Sequence, residues 1–167
     1  MRKTENNYAF IDGQNLHLGI KKMGWKLDHK KFRIYLKEKY SVSRAYLFIG
    51  FLSKNQKLYA HLEKSGFILV FKPTVSDGHG NIKGNVDGDL ILRAATEIDD
   101  YHKAIIVSSD GDFYSLVAYL RNHRKLETVL SPDEKHCSYL LRKAALNKIR
   151  FMNNLQNKLA HNKKGTA

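Results

Sequence analysis

The chain has 167 residues and a mass of 19.2 kDa, which fits one domain with a substantial core. Lys and Arg number 29 against 16 Asp and Glu, and the resulting net charge of +13 favours a polyanionic partner, nucleic acid first. The single cysteine, Cys137, excludes an intrachain disulfide and a cysteine-rich zinc site. Because no segment resembles a signal peptide or a membrane span, we expect a cytoplasmic protein without membrane attachment.

Strand-like and helix-like segments alternate along the chain, a pattern typical of βαβ units around a parallel sheet. The sequence therefore predicts an α/β fold in one domain over residues 1–152, followed by a basic tail, 153–167, that frays. Strands are predicted at Tyr8–Ile11, Ala45–Ile49, Phe67–Phe71, Ala104–Ser108 and Glu127–Leu130, with a short sixth at Lys148–Phe151. Helices are predicted from Leu16 to near Gly24 and at His29–Tyr40, Lys54–Ser65, Val86–Tyr101, Phe113–Asn122 and Lys135–Leu146.

The segment Pro73–Gly84 carries the densest turn chemistry in the chain. Its glycines do not space as in a dinucleotide-binding loop, and no P-loop lysine follows them. A hairpin tip and a flap beside a cleft are both compatible with this composition, and we favour the flap.

Acidic residues follow two of the predicted strands. Asp12 comes directly after the first strand, and Asp110 and Asp112 flank Gly111 after the strand that ends at Ser108. Because the carboxyl ends of parallel strands meet at one edge of a sheet, these carboxylates are predicted to converge. Helix capping is the alternative role for an aspartate at each position. Several carboxylates in one cleft repel one another, which favours a divalent cation among them.

Asp87 is the strongest functional candidate in the sequence. It continues the apolar stripe formed by Leu90, Ile91 and Ala94 toward the start of its predicted helix, and an ionised carboxylate on a buried face is costly unless paired or metal-bound. Asp89 faces away from that stripe, and we expect it to pair with Arg93, although a distorted helix start would let it join the metal ligands.

Three polar residues are candidate helpers of this acidic site. Asn15 follows Asp12 by three residues and is placed to orient a water or a carboxylate, or to sit in the first turn of a helix. Lys83, four residues before Asp87, is a candidate contact for a scissile phosphate, or one of many solvated lysines. Ser109 is a candidate phosphate contact or holder of a metal ligand.

Taken together, three motifs resemble the LabA-like NYN domain, a branch of the PIN-like nuclease superfamily. They are Phe10–Asn15, Lys83–Asp87 and Ser108–Phe113, in that order and at matching spacing. The resemblance implies a three-layer α/β/α sandwich, a Rossmann-like arrangement with a mostly parallel central sheet. It also implies an acidic site that binds Mg²⁺ or Mn²⁺ and cleaves RNA. By position, the family's acidic residues correspond to Asp12, Asp87, Asp110 and Asp112, with Asn15 and Ser109 as polar helpers.

One position departs from the family pattern. Many members place another acid six residues after the equivalent of Asp87, where this chain has Arg93. Asp89 is then a candidate substitute among the metal ligands, and a single firmly held cation is the alternative.

These observations leave three hypotheses about function. The first is a Mg²⁺- or Mn²⁺-dependent endoribonuclease, and the second is a non-catalytic RNA-binding or regulatory module of the same fold. The third, a phosphatase with an aspartate nucleophile at Asp110, is disfavoured because Tyr114 stands where that chemistry requires threonine. The sequence leaves the oligomeric state open, with a homodimer among the alternatives.

Overall fold

A six-stranded parallel sheet forms the centre of the protein, with strand order β3-β2-β1-β6-β7-β8. The structure is a computed structural model that describes residues 5–76, 78–79, 82–83 and 86–162. The strands of this sheet are β1 (Asn7–Asp12), β2 (Val42–Gly50), β3 (Phe67–Lys72), β6 (Ala104–Val107), β7 (Leu126–Ser131) and β8 (Ile149–Phe151). All six predicted strands are therefore confirmed.

Helices cover both faces of the sheet and complete the predicted three-layer α/β/α sandwich. They are α1 (Gly13–Lys22), α2 (His29–Tyr40), α3 (Gln56–Lys64), α4 (Asp87–Thr96), α5 (Tyr114–Asn122), α6 (Tyr139–Ala145) and α7 (Gln156–Leu159). Helices α1, α2, α3 and α7 pack on one face, and α4, α5 and α6 pack on the other. Within the described residues, no helix combines the length and apolar character needed to cross a bilayer.

The strand order reverses direction between β1 and β6. From β1 the chain winds outward through β2 to β3, and from β6 it winds the other way through β7 to β8. Because parallel crossovers are right-handed, this reversal puts the two sets of helices on opposite faces. A crevice opens between the carboxyl ends of β1 and β6 at such a switch point, which is where ligands bind in open α/β sheets.

The core is packed on both faces of strands that are fully buried. All six residues of β1 are buried, as are all four of β6. On the α4–α5–α6 face, aromatic rings add to the aliphatic core: Phe10 stacks on Tyr46 with a 5.6 Å centroid separation, and Tyr101 donates its hydroxyl to the Ala94 carbonyl at 2.5 Å. The continuous apolar pattern of β1 and β6 is what burial on both faces requires.

Several predicted helices are shorter than their sequence patterns. The helix predicted over Val86–Tyr101 ends at Thr96, and Tyr101, beyond the turn that follows, is buried in the core. The pattern over Lys135–Leu146 divides into a short 3-10 turn, Glu134–His136, and helix α6. Similar 3-10 turns precede α3 and α5, at Ser53–Asn55 and Gly111–Phe113.

The glycine-rich segment after β3 contains a short antiparallel pair. Strand β4 (Val75–Ser76) pairs with β5 (Ile82–Lys83), so the hairpin alternative agrees with the backbone. Asp77, Gly80, Asn81, Gly84 and Asn85 lie outside the described residues, and the proposed role of this segment as a flap stays a prediction.

The C-terminal segment differs from the predicted fraying tail over residues 153–160. A 3-10 turn, Asn153–Leu155, leads into α7, where the Leu159 side chain is 1% exposed within the core. Ala160 forms an antiparallel bridge with Leu27, and the Lys31 ammonium donates to the Ala160 carbonyl at 3.1 Å. Burial of Leu159 and these backbone contacts hold the segment on the α2 side of the sheet. Residues 163–167 lie outside the described chain.

Candidate metal centre

Three aspartates from separate parts of the chain meet at the crevice between β1 and β6. Asp12 is the last residue of β1, Asp110 follows β6 by three residues, and Asp87 is the first residue of α4. Each offers a carboxylate oxygen, and these oxygens all lie within 4.8 Å of one another. Strand ends bring Asp12 and Asp110 to the same edge, and the packing of α4 on β1 carries Asp87 to them.

The three carboxylates face an open cavity of about 490 Å³. Asp12 forms its buried floor at 6% exposure, whereas Asp87 and Asp110 are half-buried on its sides. Polar and apolar residues share the remaining lining, and no lysine or arginine occurs among the described residues that line it.

The electrostatics of Asp12 reflect this setting. The pKa of Asp12 is raised from 3.8 to about 6, chiefly by burial and also by the neighbouring charges of Asp87 and Asp110. Hydrogen bonds from the Asn15 backbone and the Ser108 hydroxyl act in the opposite direction. A cation between these carboxylates would remove the cost of ionising Asp12. Hard carboxylate oxygens in such a group fit Mg²⁺ or Mn²⁺.

Hydrogen bonds from the ends of β1 and β6 fix the orientation of the carboxylates. The Asn15 N–H donates to Asp12 Oδ1 at 3.2 Å, and the Ser108 hydroxyl donates to Asp12 Oδ2 at 3.4 Å. The Asp110 N–H donates to the Ser108 hydroxyl at 3.1 Å. Asn15 closes the network because its carboxamide oxygen accepts from the Ser109 N–H at 2.8 Å. Capping and participation in the acidic group are thus combined in Asp12.

Comparison with known proteins identifies the family of this chain. The family model of the NYN domain matches residues 8–151, which is most of the chain. The chain belongs to the NYN domain family. The LabA-like resemblance inferred from its three motifs is confirmed, since the chain is 25% identical to the low amplitude and bright protein LabA of Synechococcus elongatus over 134 residues, 74% of this chain and 72% of LabA.

A solved structure shares the fold of this NYN domain. A Vibrio parahaemolyticus protein of unknown function superposes with a TM-score of 0.80 at 21% identity, covering 96% of this chain and 99% of that chain. The superposition confirms the three-layer fold class.

Two further aspartates predicted as ligands of the NYN domain lie outside the close group. Asp112 lines the same cavity but is exposed, and its N–H donates to Asp110 Oδ1 at 2.9 Å. Asp89 is exposed on α4 and does not line the cavity. The predicted pair between Asp89 and Arg93 is wrong, because Arg93 instead binds Glu97 at 3.2 Å.

Arg93, at the position where the family pattern led us to expect an acid, is not part of the acidic site. Its guanidinium lies 5.0 Å from the centre of the Tyr46 ring and pairs with Glu97, one turn further along α4. Neither contact brings Arg93 into the lining of the acidic cavity. Arg93 is part of a surface ion pair on α4.

The two serines at the end of β6 have different contacts. Ser109 was predicted to contact phosphate or to hold a metal ligand; its hydroxyl lies 2.8 Å from the Ser131 hydroxyl, and Ser109 is not part of the cavity lining. Ser108, which sequence reasoning missed, is fully buried and binds Asp12. Its position as the first polar residue after a buried strand was the available signal. Lys83 lies in β5, and its side chain is outside the described part of the structure.

A second buried aspartate lies at the same edge of the sheet, after β7. Asp133 accepts hydrogen bonds from the Lys135 N–H at 3.1 Å, from the Asn153 carboxamide at 3.4 Å and from the His136 ring. Burial raises the pKa of Asp133, but these donors, His136 foremost, outweigh it and hold the pKa below its ordinary value. Sequence reasoning also missed this cluster, although Asp133 follows a buried strand by two residues.

Proposed function

We propose that this NYN domain is a metal-dependent endoribonuclease that hydrolyses RNA phosphodiester bonds. The observation that carries the proposal is the convergence of Asp12, Asp87 and Asp110, with their oxygens within 4.8 Å of one another, at the switch point of the sheet. Membership of the NYN family and the net charge of +13 support a nucleic acid as the partner.

Asp12, Asp87 and Asp110 would hold the cation, Mg²⁺ or Mn²⁺, and Asp112 at the cavity edge would bind it through water or face the substrate. Asp89 is a less suitable ligand because it is exposed and outside the cavity lining. When bound, such a cation supplies Lewis-acid chemistry, in that it acidifies water and offsets the charge that builds on the phosphate.

The remaining polar groups keep the carboxylates in place for that chemistry. Ser108 and the Asn15 N–H each bond a different oxygen of Asp12, so the carboxylate cannot rotate freely. Asn15 also ties the start of α1 to the end of β6 through the Ser109 N–H, which fixes Asp12 relative to Asp110. We include Asn15 in the catalytic machinery as a positioning residue, and Lys83 as a contact for the phosphate.

The substrate would reach the cavity across a basic surface. Lysines exposed on this surface include Lys21 and Lys22 at the end of α1 and Lys135 after β7. An anionic polymer is attracted by this surface, and only its scissile phosphate needs to approach the acidic floor.

Cleavage of end-labelled RNA by wild type and Asp87→Asn tests the proposal. With Mn²⁺ or Mg²⁺ we expect wild-type cleavage to exceed that of Asp87→Asn by about 10²–10³-fold, since one of three charged ligands is removed without a change of size. Asp99→Asn, which changes one of the two exposed aspartates in the turn after α4, is the matched control and should cleave like wild type. Equal cleavage by wild type and Asp87→Asn would contradict the proposal. A DNA strand of the same sequence measures the preference for RNA.

A non-catalytic RNA-binding module is the second candidate, and the replacement of a family acid by Arg93 favours it. It predicts RNA binding that weakens steeply with salt but does not depend on metal or on Asp87. The same RNA, measured for binding as well as for cleavage, separates the two functions.

A further inference from the structure

A second cavity lies beside the acidic centre, on the opposite side of α1. It is larger, about 730 Å³, and occupies the space between α1 and α3 over the end of β2. The two cavities share Gln14, Ile49 and Gly50 in their linings, so they are direct neighbours. A volume of this size is typical of sites for small organic molecules.

The body of this cavity, which we call the α1–α3 groove, is aliphatic. Leucine and isoleucine side chains form its floor on β2 and its two facing walls on α1 and α3. The best examples are Leu47 and Ile49 on the floor, Leu16 and Ile20 on one wall, and Leu58 and Leu62 on the other. Leu58 is 43% exposed and is open to solvent, whereas the other leucines and isoleucines named here, Ile49 apart, are at most 4% exposed and form the buried base of the groove.

The charged groups of the groove are all basic. Lys21 and Lys26 are exposed at the end of α1 and in the loop that follows it, and no Asp or Glu occurs among the described residues that line the groove. Asp28, the nearest acid in the sequence, accepts the Lys31 N–H at 3.0 Å as the cap of α2. His29 lies at the same end, and burial, the largest effect, lowers the pKa of His29 to about 4, so its ring is neutral near pH 7.

We propose that the α1–α3 groove binds an anionic amphiphile, a small molecule with an alkyl body and a carboxylate or phosphate head. The alkyl body would lie against the aliphatic walls and floor, and the head would lie at Lys21 and Lys26. The proposal is independent of RNA cleavage, because it uses neither the aspartates nor a metal.

The lining favours an alkyl body over a nucleobase. A base binds proteins chiefly by stacking on aromatic faces and by hydrogen bonds at its edge. Trp25 and Tyr59 are the aromatic residues among the described lining, and the Tyr59 hydroxyl is already engaged by the Leu52 N–H at 2.9 Å and the Gly50 carbonyl at 3.3 Å. Aliphatic walls provide apolar contact area without directional hydrogen bonds, which suits a flexible alkyl chain.

Trp25 provides a direct readout, since it is the only tryptophan of the chain and lines the groove. Titration of the full chain with decanoate should change its fluorescence saturably. Decanoate should bind about fifteenfold more tightly than octanoate, because each methylene buried contributes about 0.8 kcal/mol. Decanol, which has the alkyl body without the charge, should bind more weakly than decanoate.

Charge reversal at the two lysines tests the position of the head. K21E/K26E should weaken decanoate binding by roughly tenfold or more and leave decanol binding unchanged. K22E/K30E is the matched control, because both lysines are exposed and neither lines the groove, and it should weaken binding less than about threefold. Circular dichroism verifies that both doubles are folded.

Several results would overturn the proposal. They are the absence of a saturable response to decanoate, equal affinity for decanol, and equal weakening by the two double variants. A saturable response to uridine monophosphate without one to decanoate would also overturn it, and would assign the groove to a nucleotide. The chain-length series on the wild-type protein tests the proposal even if a double variant does not fold.

Discussion

Two buried aspartates at the same edge of the sheet have opposite environments. Asp12 follows β1 and is 6% exposed, and Asp133 follows β7 and is 5% exposed. Burial and two neighbouring carboxylates raise the pKa of Asp12 to about 6. Asp133 is equally enclosed, yet hydrogen bonds from His136, Lys135 and Asn153 hold its pKa below the ordinary value.

The difference shows which acid serves the fold and which is available to a ligand. Asp133 has partners from its own chain that satisfy its charge. Asp12 has neighbours of the same sign, and its ionised form is costly in the protein by itself. Burial alone therefore does not mark a functional acid, whereas burial among like charges does.

The largest difference between Asp12 and Asp133 is expected in the rate of RNA cleavage. We expect Asp12→Asn to lower the rate by about 10²–10³-fold, because the amide keeps the shape but loses the charge that holds a cation. Asp133→Asn should keep most of its activity at a temperature where circular dichroism shows it folded. Comparable losses of cleavage activity in Asp12→Asn and Asp133→Asn would contradict the different roles assigned to the two aspartates.

The free energy of unfolding should instead depend more on Asp133 than on Asp12. Asp133→Ala should lower the free energy of unfolding by about 1–3 kcal/mol, since it leaves three partly exposed donors without their shared acceptor. Asp12→Asn should not lower it in metal-free protein, because asparagine caps a helix as well as aspartate does. Urea unfolding at pH 7 measures both, with Asp99→Ala as an exposed control. A stable Asp133→Ala protein would contradict the structural role of that cluster.

The pH dependence of these differences should have opposite signs. The pKa of Asp12 is 3.8 in the unfolded chain and about 6 in the folded protein, so the folded state holds its proton more tightly. Between about pH 4 and 7, metal-free wild type should therefore lose about 2–3 kcal/mol relative to Asp12→Asn. His29 titrates in both proteins and cancels in the difference.

For Asp133 the lowered pKa means that its stabilisation is present above about pH 4 and is lost as the pH falls further. Wild type and Asp133→Asn should therefore converge in stability at low pH. If the free energy of unfolding changed equally with pH in wild type and in either variant, the pKa of the carboxylate concerned would not be shifted as described.

The smallest effect is expected at Asp112, which lines the acidic cavity but is exposed and outside the close group. Asp112→Asn should slow cleavage by about fivefold, the equivalent of about 1 kcal/mol for a solvated charge near the reaction. A loss as large as that of Asp87→Asn would instead place Asp112 among the direct ligands.

Much of the fold was predictable because strands and turns leave local patterns. The buried runs of β1 and β6 indicated the sheet, and the stripe through Leu90 and Ala94 placed Asp87 on the inward side of α4. The packing of the C-terminal segment was not predictable in this way. Its bridge from Ala160 to Leu27 joins residues far apart in sequence, and the basic composition of residues 153–167 predicted fraying instead.

The site was predictable in its charges and less so in its hydrogen bonds. Strand ends and the helical stripe identified Asp12, Asp87 and Asp110, because backbone topology alone brings these positions together. Which of Ser108 and Ser109 faces Asp12 depends on side-chain packing at the end of β6. The sequence pattern does not specify that packing. Asp133 was overlooked for the same reason, since its partner Asn153 comes from the segment expected to fray.

Calorimetric titration with Mn²⁺ tests the central claim most directly. Wild type should bind the ion saturably and gain about 2.7 kcal/mol of stability at a concentration one hundred times the Kd. Asp12→Asn, Asp87→Asn and Asp110→Asn should each lose most of this binding, and folded Asp133→Asn should retain it. Absence of saturable binding to wild type, or unchanged binding to all three variants of the close group, would contradict the account.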